Sequence, residues 1–264
     1  MSRRLFLILT ILILINHSHS YGKNLRTISS ERPSKSDSVY TLNAHKFQFE
    51  TSLYSLTASP NGIDRQNKKS IGEISTLRLG LNDNHELQII LNPFNKLQNS
   101  ISPQNNFGES FIRYKFNIFG NDGENFGLSM TPFYKINNAK ASALNSNLKT
   151  GIAAPFHYII NEKFTIGGTY QANIYQDNLK IFNKYYYGFN SGYYLNTNLS
   201  QKLSTYVEFY SIMFYNHKFI TKNYFDMGIN YIVNPNLKVD LGYNIGISKY
   251  SDKKNYFIGF SQRL

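Results

Sequence analysis

The chain has 264 residues, no cysteine and no tryptophan, 21 Tyr and 20 Phe, and a formal net charge of +12. The lack of cysteine excludes disulfide scaffolds, zinc–thiolate sites and cysteine nucleophiles. A mean hydropathy of -0.38 beside 16% aromatic residues describes a chain that is polar on average yet rich in strand-forming rings, as a membrane barrel requires when half of each strand meets lipid and half meets water.

Arg3 and Arg4 precede an apolar run from Leu5 to Ile15 broken only by Thr10, and small and polar residues follow up to Ser20. A run of that length is too short for a membrane helix, which needs about 20 apolar residues, and the pattern predicts a signal peptide over 1–20, with Ser18 and Ser20 at the cleavage site. Its removal leaves 26 basic against 16 acidic residues, so an anionic neighbour is expected. Nucleic acid is not that neighbour, because the chain is exported and carries no helix-turn-helix, zinc-finger or RNA-recognition motif. Residues 21–44, rich in Ser and Arg, show no core-forming pattern and predict a periplasmic N-terminal extension, with threading into the lumen as a plug an alternative that nothing in the sequence demands.

From residue 45 onward every second residue is apolar in one segment after another. Such segments lie near 46–57, 73–81, 85–94, 109–119, 126–136, 149–160, 163–175, 185–196, 203–213, 222–233, 237–247 and 254–264. They predict an all-β fold, an antiparallel transmembrane β-barrel of about twelve strands over 45–264. The clearest pattern sets Leu237, Val239, Leu241, Tyr243, Ile245 and Ile247 against Lys238, Asp240, Gly242, Asn244, Gly246 and Ser248. Pro132 and Pro155 fall inside strands and each removes a ladder donor. The links alternate in length: long at 58–72, 95–108, 137–148, 176–184, 215–221 and 248–253, and short at 82–84, 120–125, 161–162, 198–201 and 234–236. Hairpin turns alternate between the two sides of a barrel, so long outer loops and short periplasmic turns are expected.

The long links carry Arg65, Lys68, Lys69, Lys96, Lys140, Lys149, Lys180, Lys184, Lys218, Lys222, Lys249, Lys253 and Lys254 against Asp64, Asp177 and Asp252. Outside the cell these lysines would meet the phosphates of outer-membrane lipids and lipopolysaccharide. A solvated surface without a ligand accounts for them equally well. The last strand sets Tyr256, Ile258, Phe260 and Leu264 on one face, the form of a signal read by the barrel-assembly machinery.

Several stretches carry a family resemblance: Glu31-Arg32-Pro33, Ser38 to Leu42, Phe47 to Glu50, Leu77 to Gln88, and Lys115 to Gly123. In that order they resemble an outer-membrane transporter family named for a meta-pathway of phenol degradation. The chain departs from the family pattern at Val39 and at Ala44-His45-Lys46. The resemblance implies transport of small solutes, with hydrophobic or aromatic compounds suggested by the family's name and by no known site.

The polar strand faces carry Glu50, Arg78, Glu86, Glu109, Arg113, Lys115, Glu208, Asp226, Lys238 and Asp240, expected to line the lumen. Two arrangements compete: a charged constriction that selects solutes, and cross-lumen pairing that plugs a narrow barrel, the cheaper way to bury charge. They correspond to an outer-membrane channel for small solutes and to a non-conducting structural or adhesive barrel whose basic loops bind lipopolysaccharide or a surface ligand. An enzyme is not expected. Of His45, His85, His157 and His217 only the last is placed outside, no G-x-S-x-G or H-E-x-x-H sequence occurs, and no cofactor or metal is implied.

Overall fold

A computed structural model describes residues 25–58, 67–70, 74–91, 109–136, 148–176, 185–216, 218–252 and 254–264. Its strands are β1 (Phe47–Ala58), β2 (Asn67–Ser70), β3 (Ser75–Asn82), β4 (His85–Leu91), β5 (Phe111–Phe119), β6 (Phe126–Lys135), β7 (Leu148–Ile159), β8 (Phe164–Gln176), β9 (Tyr185–Asn198), β10 (Leu203–Asn216), β11 (Lys218–Asn234), β12 (Leu237–Gly246) and β13 (Lys254–Arg263). Each pairs antiparallel with its neighbour, and β13 pairs with β1 from Gln48↔Arg263 to Ala58↔Lys254. That last ladder closes the sheet into a ring and leaves no open edge.

The ring has twelve staves. The additional short strand β2 pairs with the Ser55–Ala58 end of β1, above the stretch where β3 pairs with Phe47–Thr51. It falls inside the link expected to be a loop at 58–72, and its sequence Asn-Lys-Lys-Ser offers no alternation to read. The link expected at 215–221 is likewise mostly strand: β10 and β11 stay paired through Phe214↔Ile220, Tyr215↔Phe219 and Asn216↔Lys218. Ring and β-branched side chains opposite one another stabilise such a ladder to its end.

The alternation of burial is inverted relative to a soluble barrel. Val207, Phe209 and Leu241 are 42%, 42% and 54% exposed, whereas Glu208 and Asp240 between and beside them are 1% and 3% exposed. An apolar belt turned outward around a polar interior is the arrangement that lipid imposes, since every backbone donor is satisfied within the closed ladder and only apolar side chains meet hydrocarbon. Both prolines lie within ladders as expected. Each leaves a gap: β5 and β6 are unpaired between Arg113↔Phe133 and Phe116↔Met130, and β6 and β7 between Leu128↔Phe156 and Thr131↔Ala153.

The short links, such as Asp83–Asn84 and Pro235–Asn236, all fall at one end of the ring, the periplasmic end of the expected topology. There Gly120, at φ +89, sits against the Gly127 backbone where a side chain could not fit. The signal-peptide region, His217 and the loop residues Arg65, Lys96, Lys140, Lys180, Lys184 and Lys253 lie outside the described residues, as do the side chains of Lys68, Lys69 and Lys218.

Candidate functional site in the lumen

Residues 25–44, expected as a periplasmic extension, run inside the ring as a strap that enters and leaves at the short-turn end. Its entrance is fixed by Arg26, which binds the Asp122 carboxylate at 2.7 Å and the Asp83 carbonyl at 2.9 Å, while Arg263 donates to the Arg26 carbonyl at 2.8 Å. Its exit is fixed where the His45 amide donates to the Gly80 carbonyl at 2.8 Å. Strap amides that lack a ladder partner must find acceptors inside the lumen. Glu86 accepts from Leu42 N at 2.8 Å, Glu208 from Ser36 N at 2.8 Å and Lys35 N at 2.7 Å, and Thr169 from Asp37 N at 2.9 Å.

The ten residues expected on the polar faces are all buried; nine of them surround the strap, and Glu109 pairs with Lys135. On one side Arg78 of β3 is the hub. It donates to Glu86 of β4 at 2.6 and 2.8 Å and to Glu50 of β1 at 2.9 Å, and its remaining hydrogens reach the strap carbonyls of Ser29 and Tyr40. On β5, Lys115 pairs with Glu31 of the strap and donates to the Ser38 carbonyl at 2.7 Å, and Arg113 pairs with Asp37. Across the ring, Asp240 of β12 takes two bonds from Arg32, at 2.8 and 3.3 Å, and the neighbouring Lys238 donates to the Arg32 carbonyl at 3.0 Å. Glu208 of β10 and Asp226 of β11 stand directly opposite each other on their two strands. Asp226 accepts from the Tyr206 hydroxyl at 3.1 Å, and its second oxygen is buried without a partner. Among the described residues neither Glu208 nor Asp226 forms an ion pair.

Burial by itself pushes the Glu31 carboxyl up. Lys115, Arg78 and Arg113 together outweigh burial and hold it down at about 2. At Gly192 of β9 the strap runs close against the wall, since a Cβ there would overlap Ser36 Oγ. His157 lies 5.0 Å from the Tyr40 ring of the strap, centroid to centroid. His85 meets the Tyr114 hydroxyl at 2.8 Å on the outer face.

The strap residues that meet the wall, Arg26, Glu31, Arg32, Lys35 and Asp37, are not among the candidates read from the sequence. The signal was present in Glu31-Arg32-Pro33-Ser34-Lys35-Ser36-Asp37, whose acid-base-base-acid order matches the two walls. Without strand periodicity, nothing tied that stretch to the barrel.

The family profile described as "Putative MetA-pathway of phenol degradation" matches residues 30–264, a span that takes in most of the strap as well as the barrel. Among curated proteins none matches the chain. Among solved structures it is similar to an outer membrane channel from Pseudomonas putida F1, with a TM-score of 0.66 and 13% identity over 84% of this chain and 96% of that one. It is also similar to the NanC porin, with a TM-score of 0.53 and 11% identity over 84% and 100% of the two chains. The KdgM porin gives a TM-score of 0.53 and 7% identity over 82% and 98%. At these identities the likeness is one of fold.

Proposed function

The chain belongs to the "Putative MetA-pathway of phenol degradation" family, and from that premise and the lumen geometry we propose that it is an outer-membrane channel for small solutes whose N-terminal strap occupies the conduction path. The observation that carries this reading is the character of the interior. A barrel built only for support can fill its lumen with wall side chains. Here the wall charges instead meet a separate segment that is covalently anchored only at the short-turn end. Withdrawal of that segment would leave a polar, charge-lined passage. Glu50, Arg78, Glu86, Arg113, Lys115, Glu208, Asp226, Lys238 and Asp240 are the residues such a passage would expose.

The outer and inner surfaces fit the same reading. Lys149, Lys222, Lys249 and Lys254 lie toward the long-link end, where phosphates of lipopolysaccharide would attract them. Tyr256 and Ile258 of the final strand point outward, as a strand presented to the barrel-assembly machinery would.

The test uses the absence of native cysteine. Ser36→Cys with Gly192→Cys places two thiols where strap and wall already touch. The folded full chain is recorded in planar bilayers before and after reduction. Current that is low in the oxidised protein and rises at least severalfold on adding reductant is the expected result. The filled lumen also favours a second reading, a closed structural barrel whose basic loops bind the cell surface. A correctly folded, inserted protein silent in both redox states would select it.

A further inference from the structure

The charges of the lumen are sorted by side. Arg78 is consumed by Glu50 and Glu86 on its own wall, which leaves Arg113 and Lys115 of β5 as the cations that turn to the strap instead. Lys238 and Asp240 neighbour one another on β12, and Asp240 is taken by Arg32, which leaves Glu208 and Asp226 as the free anions on β10 and β11. In the closed order of strands β5 and β10 are nearly opposite. The strap carries the complementary pattern, with Glu31 and Asp37 turned to the basic wall and Arg32 and the Lys35–Ser36 amides turned to the acidic one.

We propose that the Arg113 and Glu208/Asp226 walls form a bipolar binding site for a short zwitterion, in the place that Lys35–Asp37 occupies in the closed channel. This rests on the channel reading and adds the class of solute. The strap itself supplies the template. Its Ser36 amide donates to Glu208 while its Asp37 carboxylate pairs with Arg113, so a donor and a carboxylate no more than two residues apart bridge the lumen. Two residues of extended chain span at most roughly 7 Å, the dimension of a dipeptide.

Both walls also keep capacity that the strap leaves unused. Arg113 Nε and Asp226 Oδ2 are buried with no hydrogen-bond partner, and Lys35 rests its ammonium over the Phe257 ring at 5.9 Å and forms no ion pair among the described residues. A free ammonium group could take the Asp226 oxygen, and a carboxylate could accept from Arg113 Nε as well as from its terminal nitrogens, a fork geometry suited to carboxylates. Opposed walls of opposite sign in a low-dielectric passage set up a transverse field. A zwitterion aligned with that field is stabilised at both ends, whereas a simple anion or cation is repelled by one wall.

The test is swelling of liposomes that contain the folded full chain, with four probes of similar size: glycylglycine, N-acetylglycinamide, N-acetylglycinate and glycylglycinamide. Glycylglycine is expected to enter at least fivefold faster than neutral N-acetylglycinamide, and this preference is expected to fall within twofold in Arg113→Gln and in Glu208→Gln. Asp226→Asn, which keeps the shape and the Tyr206 contact, is the second acidic-wall variant should Glu208→Gln fail to fold. Rates ordered by size or apolarity in all proteins, with ionic current still present, would overturn the zwitterion site and leave the channel standing. No entry by any probe together with no current would overturn the channel reading and this inference with it.

Discussion

Glu31 shows how much one strap side chain holds. It pairs with Lys115, lies 3.6 Å from Arg78, and accepts from Ser38 N at 3.0 Å. Glu31→Gln would leave the buried ammonium of Lys115 facing a neutral amide. Removing one partner of a buried pair costs about 3 to 5 kcal/mol, and about 3 kcal/mol is roughly a hundredfold in an equilibrium constant. The strap should therefore open roughly a hundredfold more often. In a chain without cysteine, the labelling rate of Ser34→Cys by a water-soluble maleimide reads that opening, and an unchanged rate would show that Glu31 does not hold the strap. The same residue sets a pH dependence. Its carboxyl is held at about 2, below the ordinary 4.5, so the docking it confers is complete above about pH 4.5 and is lost as pH falls through 2. A spin label attached beforehand to Ser34→Cys should gain mobility between pH 4.5 and pH 2, and the part of that gain due to Glu31 should vanish when Glu31→Gln is combined with it.

Among the strands, β6 and β7 are the pair whose ladders the prolines interrupt. Pro155 has no N–H to give toward β6, and the pairs that would join Ser129–Met130 to Ala154–Pro155 are missing. Pro155→Val restores the donor where the backbone already runs extended, and one ladder bond contributes about 1 kcal/mol net. The expected outcome is a higher urea midpoint in detergent and slower hydrogen exchange at the Ser129 amide, the residue opposite Pro155; an unchanged exchange rate would mean that the gap has another cause. Most strands were legible because lipid outside and water inside force a period of two, and Glu208 or Leu241 can be assigned a side from its neighbours alone. β2 was not legible, because Asn67-Lys68-Lys69-Ser70 gains its pairing from β1 rather than from any burial of its own. The continuation of β10 and β11 through 215–221 was hidden for a related reason: beyond the membrane both faces of a hairpin meet water, so alternation no longer marks it.

For the molecule as a whole, the twelve-stave ring could be read from sequence, but whether residues 21–44 stay in the periplasm or thread the lumen could not. A strap held by side-chain carboxylates and carbonyls needs no periodicity, and Glu31, Arg32 and Asp37 acquire their roles only when the ring has closed and brought β5 opposite β10. The inside-out character that makes the site possible can itself be tested by moving one charge across the wall. Leu241, 54% exposed at the middle of β12, faces the lipid belt, while Asn244 on the same strand faces the lumen opposite Asp226. A lysine on the lipid face near the midplane costs about 2 to 4 kcal/mol, so Leu241→Lys should lower the free energy of folding into phospholipid vesicles by that amount. Asn244→Lys should cost far less or even stabilise, because its ammonium can reach the Asp226 oxygen that has no partner. Urea titration in vesicles, followed by the mobility difference between folded and unfolded barrel in electrophoresis, measures both. Equal losses for the two variants would mean that the wall does not separate lipid from water at β12, and the lumen assignment of all nine residues would fall with it.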